Sequence, residues 1–204
     1  ALRSLLAGAS PDSPDSILDL HRWAVLLANT AIVCGIAAIT AITAGLFYGL
    51  LTARTNLPGR SALSAAAVLG ACIPVHVSLV FAAAYIPVTR FHASAVACGV
   101  LYGLLYAPLA AVVLGAAFRT VDRTLEEQAL LDASLPRVLW YVTLPQARWP
   151  VATLAMLIVL LVGTDYSVTD ILKVRTFAEE VYTQFQLHRT CGGPLLTALP
   201  VFLV

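Results

Sequence analysis

Of the 204 residues, 60% are hydrophobic and only 11% charged, with a mean hydropathy of +0.88 and a net charge of +1. Soluble domains average about 25% charged residues, so this composition belongs to membrane proteins. The near-neutral balance offers no basic patch for nucleic acid.

The first 22 residues hold the polar stretch Ser10, Pro11, Asp12, Ser13, Pro14 and Asp15, do not form a signal peptide, and are expected to lie outside the cytoplasm. The chain opens on Ala1 and stops inside the apolar run from Pro194 to Val204, which reads as a piece of a longer protein. Charged residues are absent from Trp23 to Ala53, from Ser61 to Thr89 and from Phe91 to Phe118. Each run exceeds the ~20 residues that cross a ~30 Å hydrocarbon core.

The first predicted span covers about 24–51 and is rich in small residues (Gly35, Ala37, Ala38, Ala41, Gly45) that let helix backbones approach closely in lipid. The second, about 61–87, contains Pro74, expected to kink it, and His76, a polar group at membrane depth. His76 reads more readily as a hydrogen-bonded packing residue than as part of a translocation path. The third, about 93–118, carries Gly99 and Gly103 at GxxxG spacing. A polar stretch, 119–148, follows. Thr124 and Glu127 fit a capping box, which predicts a helix from Leu125 that Pro136 limits to about three turns. Arg137 to Val142 forms a second short amphipathic piece, interrupted by Pro145. The fourth span begins near Trp149 and, extended to Leu172, takes in Asp165 and Asp170. Those two acids would sit about 140° apart around a helix, whereas Thr169 would share the Asp165 face. Residues 173–190 are polar and partly helical, and a fifth, truncated span starts near Pro194.

Six basic residues (Arg54, Arg60, Arg119, Arg123, Arg137, Arg148) lie in the two loops on one side, close to helix ends. That bias predicts that these loops are cytoplasmic. Cys34, Cys72 and Cys98 lie in apolar runs, Cys191 outside them, and no His/Cys/Asp/Glu cluster has metal-ligand spacing, so no metal site is expected. The only lysine is Lys173 and no Gly-Lys-Ser/Thr occurs, which removes a P-loop. No nucleophile–base pair supports an enzyme.

Residues 125–145 resemble the EAA loop of binding-protein-dependent ABC importer permeases: Glu-Ala-Ala, three residues, Gly, nine residues, Ile, one residue, Leu-Pro. Anchored on Leu144-Pro145, Glu126 takes the Glu position, Asp132 the Gly position and Val142 the Ile position. A one-residue deletion instead places Glu127-Gln128-Ala129 on Glu-Ala-Ala. The key acid is thus Glu126 or Glu127, and the expected Gly is missing. Ala53-Arg54-Thr55-Asn56-Leu57-Pro58-Gly59-Arg60 resembles the loop after the first core helix of such permeases. The segment 177–185 is similar to one in the ferric-iron importer branch.

The resemblance implies an all-α polytopic transmembrane bundle of about five spans, a permease core over 23–204 in a prokaryotic inner membrane. It implies that Glu126, Glu127, Ala129, Asp132, Ala133, Leu144 and Pro145 form the loop that meets a separate ATPase, with Leu125, Ala129 and Ala133 on one docking face. ATP would be bound by that partner, and this chain would bind no cofactor of its own. A periplasmic or lipid-anchored solute-binding protein, a second permease core (another copy or another half of the same chain) and membrane lipid complete the expected partners. Transport would proceed by alternating access, with Pro74, His76, Asp165 and Thr169 as candidate path residues and ferric iron or another small solute as substrate. Two other readings remain at this point: an ion-coupled secondary transporter, which needs ionisable residues buried in the spans, and a membrane anchor or scaffold with a static docking loop. Substrate-dependent stimulation of the ATPase separates the importer from both.

Overall fold

The computed structural model describes residues 20–55, 58–85 and 94–187, all in helices and their connections, with no strand among the described residues. Helices α1 (Leu20–Arg54) and α4 (Ala95–Thr120) are long and apolar enough to cross a membrane. Between them lie α2 (Arg60–Cys72) and α3 (Val75–Tyr85). The polar stretch forms α5 (Arg123–Asp132), α6 (Leu135–Val138), a π-helical turn (Leu139–Thr143) and α7 (Leu144–Gln146). Then come α8 (Arg148–Thr164), α9 (Ser167–Leu172) and α10 (Phe177–Leu187). Counting each bent pair as one, the described residues hold up to four spans. The tail before residue 20 and the fifth span expected from Pro194 lie outside the described residues.

The centre of the bundle is a parallel seam between α1 and α4. A Cβ on Gly99 would come within 2.8 Å of Ile36 Cβ, and one on Gly103 would overlap the Thr40 side chain and lie 3.0 Å from the Ala37 carbonyl. Further along, a Cβ on Gly45 would lie 2.7 Å from Ala110 Cβ, and one on Gly49 would lie 3.1 Å from the Gly115 nitrogen. Ala37 and Ala41 are fully buried in the same stripe. The GxxxG spacing is therefore realised as backbone-to-backbone contact, the source of cohesion where lipid competes equally for apolar side chains. Hydroxyls inside α1 bond to their own helix: Thr30 and Thr43 each donate to the carbonyl four residues back at 2.8 Å, and the Thr40 hydroxyl donates to the Ile36 carbonyl. No polar atom of these threonines needs water at membrane depth.

The kink expected at Pro74 is a break. α2 and α3 meet at 102°, because Pro74 has no N–H for the ladder and Ile73 is extended. The turn into α2 needs Gly59, whose φ is +87°, a value that disfavours any side chain. α8 packs Leu154, Ile158 and Val162 inward at a spacing of four and leaves Met156 and Leu160 outside.

The single helix expected through Asp165 and Thr169 is not formed. α8 ends at Thr164, Asp165 caps it in an extended conformation, and α9 starts afresh at Ser167. The Asp165 carboxylate accepts the Ser167 N–H at 2.8 Å, an exchange of ladder bonds for a side-chain turn that stops the helix. Asp165 and Thr169 accordingly do not share a face. Thr169 is buried and donates to the Tyr166 carbonyl at 2.8 Å, so it braces α9. At the same end of the bundle Phe177 N–H donates to Thr30 Oγ1 at 3.0 Å, and Trp23 packs against Phe177 with ring centroids 5.7 Å apart.

The seam makes a stability prediction. Gly103→Leu should lower the melting temperature and folded yield of the detergent-purified protein, since overpacking costs about 1–3 kcal/mol or more. Leu104→Ala, next door but 57% exposed, should leave both near the parent values.

Candidate functional site

The ends of α1 and α4 bring the two Arg-bearing loops to one side of the bundle. Arg54, in the last turn of α1, reaches the polar stretch and forms an ion pair with Glu126 at 3.0 Å. Only 14% and 13% of these two side chains is exposed. Thr143, fully buried in the π turn, donates to the same Glu126 carboxylate at 2.6 Å. Arg54 also donates to the Val121 carbonyl at 3.4 Å, while its Nε is buried without a hydrogen-bond partner. One carboxylate on α5 thereby ties α1 to the π turn, and Arg54 in turn reaches the end of α4. Beneath it lies an apolar pocket of about 350 Å³ lined by Phe47, Leu50, Leu51, Leu130, Val138 and Leu139, together with Thr55 and the three polar groups of the tie.

The two candidate acids are separated by this geometry. Glu126 points inward to the tie, and Glu127 is exposed. The helix cap also differs from the capping-box expectation: Asp122, not Thr124, is the N-cap, and α5 starts at Arg123. The Asp122 carboxylate accepts from the Thr124 amide at 2.9 Å and hydroxyl at 2.8 Å, which leaves Thr124 Oγ1 as a donor to the cap rather than the cap itself. These bonds hold the Asp122 carboxyl below its usual range. A depressed folded-state pKa means that the cap stabilises α5 at neutral pH and stops doing so as pH falls through that pKa.

Ala129 and Ala133 are half-buried, so the expected Leu125–Ala129–Ala133 face turns partly toward the bundle, with only Leu125 largely free. The face that α5 leaves open carries Thr124, Glu127, Gln128 and Leu131, spaced i, i+3, i+4, i+7, with Leu131 85% exposed and Asp132 beside it. The glycine missing from the loop pattern is not required. Ala133 turns the chain at φ −137°, an extended conformation open to any residue. Leu144 and Pro145 begin the short α7, where Pro145 sits in the first turn and its missing N–H costs no ladder bond, and the chain then bends 62° into α8.

The candidate path residues fall at a second locus, where two helix breaks face each other. His76, just after the α2/α3 break, lies with Nδ1 3.0 Å from Ser167 Oγ. Ser167 is also the residue whose N–H meets the Asp165 carboxylate. The Tyr102 hydroxyl donates to the Asp165 carbonyl at 2.9 Å and accepts from the Val168 N–H at 3.3 Å. His76 and Asp165 are thus joined through Ser167, Pro74 makes the break beside them, and Thr169 stands apart. Among the described residues no group of three or more His, Cys, Asp and Glu side chains could hold a metal ion. Arg54, Thr143, Ser167 and Tyr102 were not singled out from sequence. Arg54 was inside a recognisable loop motif, but the other three carry no local pattern.

Parallel apolar helices, interrupted neighbours and a polar loop tied to the helix ends make this an all-α transmembrane helix bundle. The chain belongs to the family of binding-protein-dependent transport system inner membrane components, whose model matches residues 25–204. It is 29% identical over 168 residues to an Fe(3+)-transport system permease protein, FbpB 2, of Haemophilus influenzae. That match covers 81% of this chain and 32% of the relative, so the chain spans about a third of the relative's length. The family match takes in all of the described residues from 25 onward, and the match to the ferric-iron permease covers 81% of the chain.

The tie makes a prediction that separates geometry from charge. Glu126→Ala should destabilise the protein by about 3–5 kcal/mol, because Arg54 is left buried and unpaired. The double variant Arg54→Met/Glu126→Met should recover most of that loss in thermal unfolding, with a coupling energy of at least about 1 kcal/mol.

Proposed function

We propose that this chain is the permease part of an ATP-driven importer of a prokaryotic inner membrane, with its 119–148 loop in the cytoplasm against a separate ATPase. The observation that carries this reading is the Glu126 tie. It makes α5 a rigid extension of the spans rather than a floppy connector, and it leaves Glu127, Gln128, Leu131 and Asp132 free. Leu131 is the apolar anchor of this contact, and Glu127 and Asp132 pair with its rim. When nucleotide binding draws the ATPases together, the push on α5 passes through Glu126 to Arg54 on α1 and to Thr143 ahead of α8. Rigid helices then carry it to the outer half of the bundle.

The cargo passes where the two breaks meet. Irregular backbone at membrane depth is tolerated where it lines a cavity or a path, and His76, Ser167 and Asp165 supply donors and acceptors there. Ferric iron is the cargo supported by the similarity to the Haemophilus permease. A solute-binding protein delivers it from the other side. The length of that relative leaves room for a second permease core in one polypeptide, and a second copy of the chain would serve the same purpose. Family membership favours this reading over the ion-coupled carrier and the static scaffold.

The test is co-purification with the cognate ATPase and transport-coupled ATP hydrolysis in liposomes. Leu131→Ala should weaken ATPase binding roughly tenfold, the effect of losing about 1–2 kcal/mol of buried leucine. Glu127→Lys should act mainly through on-rate and salt dependence. Ala129→Trp is the less clean probe, since a half-buried site also disturbs the loop's own packing. Neither Leu131→Ala nor Glu127→Lys should alter membrane insertion, and parent-like coupling in both would show α5 to be a solvated connector. Asp165→Asn and His76→Ala should lower iron uptake while leaving ATPase binding intact. Unchanged uptake would remove the breaks from the path.

A further inference from the structure

The polar loop is divided in charge. From Asp122 to Ala133 it holds four acids against Arg123. From Ser134 to Trp149 it holds Arg137 and Arg148 and no acid. The second half also exposes large aromatic side chains: Trp140 is 70%, Tyr141 78% and Trp149 71% exposed. Arg137, Trp140 and Tyr141 border a shallow cleft of about 490 Å³, on the opposite side of the segment from the buried Val138 and Thr143.

The height of this segment is set by its inward contacts. Val138, Leu139 and Thr143 line the same pocket as Phe47, Leu50 and Leu51, which are the last turns of the α1 span. Thr143 is held there through Glu126 and Arg54. The segment therefore lies beside the end of a span, not beyond it, and α8 enters the membrane directly after it. A Trp or Tyr ring that is apolar in body and polar at one edge is most stable at that depth. Arginines at the same depth meet anionic headgroups. Trp149 lies under the Arg148 guanidinium at 5.7 Å, an arrangement in which the ring is apolar cover for a charge facing headgroups.

We propose that residues 137–149 form a lipid-anchoring surface, with Trp140 and Tyr141 seated among anionic phospholipid headgroups, while the acidic α5 alone faces the soluble partner. The opposite charges of the two halves keep these roles apart. The acids of α5 are repelled by an anionic surface that attracts Arg137 and Arg148. The anchor gives the π turn a fixed footing, so that a push on α5 tilts the loop about the membrane surface. The anchor itself rests on the membrane placement of α1 and α4 and not on the ATPase reading.

The experiment places a nitroxide at position 140, 141 or 131 of the full-length permease, with native cysteines changed to alanine, in nanodiscs containing phosphatidylglycerol. Collision rates with oxygen, which partitions into lipid, and with a water-soluble nickel chelate are compared with and without the ATPase. The oxygen-to-nickel ratio should be several-fold higher at 140 and 141 than at 131, and should not change when the ATPase binds. An aqueous ratio at 140 and 141, or loss of access to both reagents on adding ATPase, would overturn the proposal, the second outcome making this face part of the partner interface. If the cysteine-free protein does not fold, the parent and Trp140→Phe are compared with native cysteines in place. Emission quenching by phosphatidylglycerol brominated near the headgroup should be clearly weaker in Trp140→Phe. Equal quenching in the two would sink the anchor. Equal quenching of the parent by brominated phosphatidylcholine would sink the assignment to anionic lipid. Failure of the ATPase docking variants would leave each of these results standing.

Discussion

Close contact between α1 and α4 is the constraint on which the rest of the structure depends. In lipid, apolar side chains gain little by leaving one hydrocarbon environment for another, so cohesion must come from packing and from satisfied polar groups. Gly99, Gly103, Gly45 and Gly49 allow the two backbones to touch along most of their length. Because the helices run parallel and in this register, their C-terminal ends coincide at one face of the bundle, while at the other α1 extends past the start of α4. At one face this places Arg54 beside Val121 and within reach of Glu126. At the other it places Thr30 where α10 begins.

The seam is rigid, and the elements around it are interrupted. The second and fourth apolar segments are both broken, at Pro74 and at Asp165, while α1 and α4 are continuous. Proline accounts for the first break by removing a donor. The second has no proline. A short acid at the cap, bonded to the Ser167 N–H, and a tyrosine from α4 bonded to the Asp165 carbonyl take over the backbone groups that the helix gives up. A transporter needs segments that can change shape against others that do not, and the division here follows the chemistry of the breaks. The tie at Glu126 sits at the end of the uninterrupted α1.

Buried ion pairs are weak evidence for stability, since desolvation offsets much of their attraction. The Arg54–Glu126 pair is better understood as a device of position. It is joined by a third partner, Thr143, and each partner comes from a different segment of the chain. Replacing the set with apolar residues would keep the fold while loosening the register between the loop and the span.

Much of this was legible in the order of residues. Charge-free runs longer than a bilayer determined that the chain spans a membrane, because no folding partner can hydrate a charge there. GxxxG spacing pointed to the close helix contact, Pro74 to an interruption, and the Leu-Pro-anchored loop to the family. These signals are local: each depends on composition or on residues within a few turns. What the tertiary structure alone decided is which of two neighbouring glutamates is internal, since Glu126 and Glu127 are equivalent until Arg54 and Thr143 arrive from distant segments. It also decided that Asp165 ends a helix, because the Tyr102 hydroxyl that makes this tolerable comes from 63 positions away. A helical wheel assumes a continuous helix, and so it put Thr169 beside Asp165. Whether a helix continues in lipid is settled by what else can satisfy its backbone, and that is a property of the packed bundle.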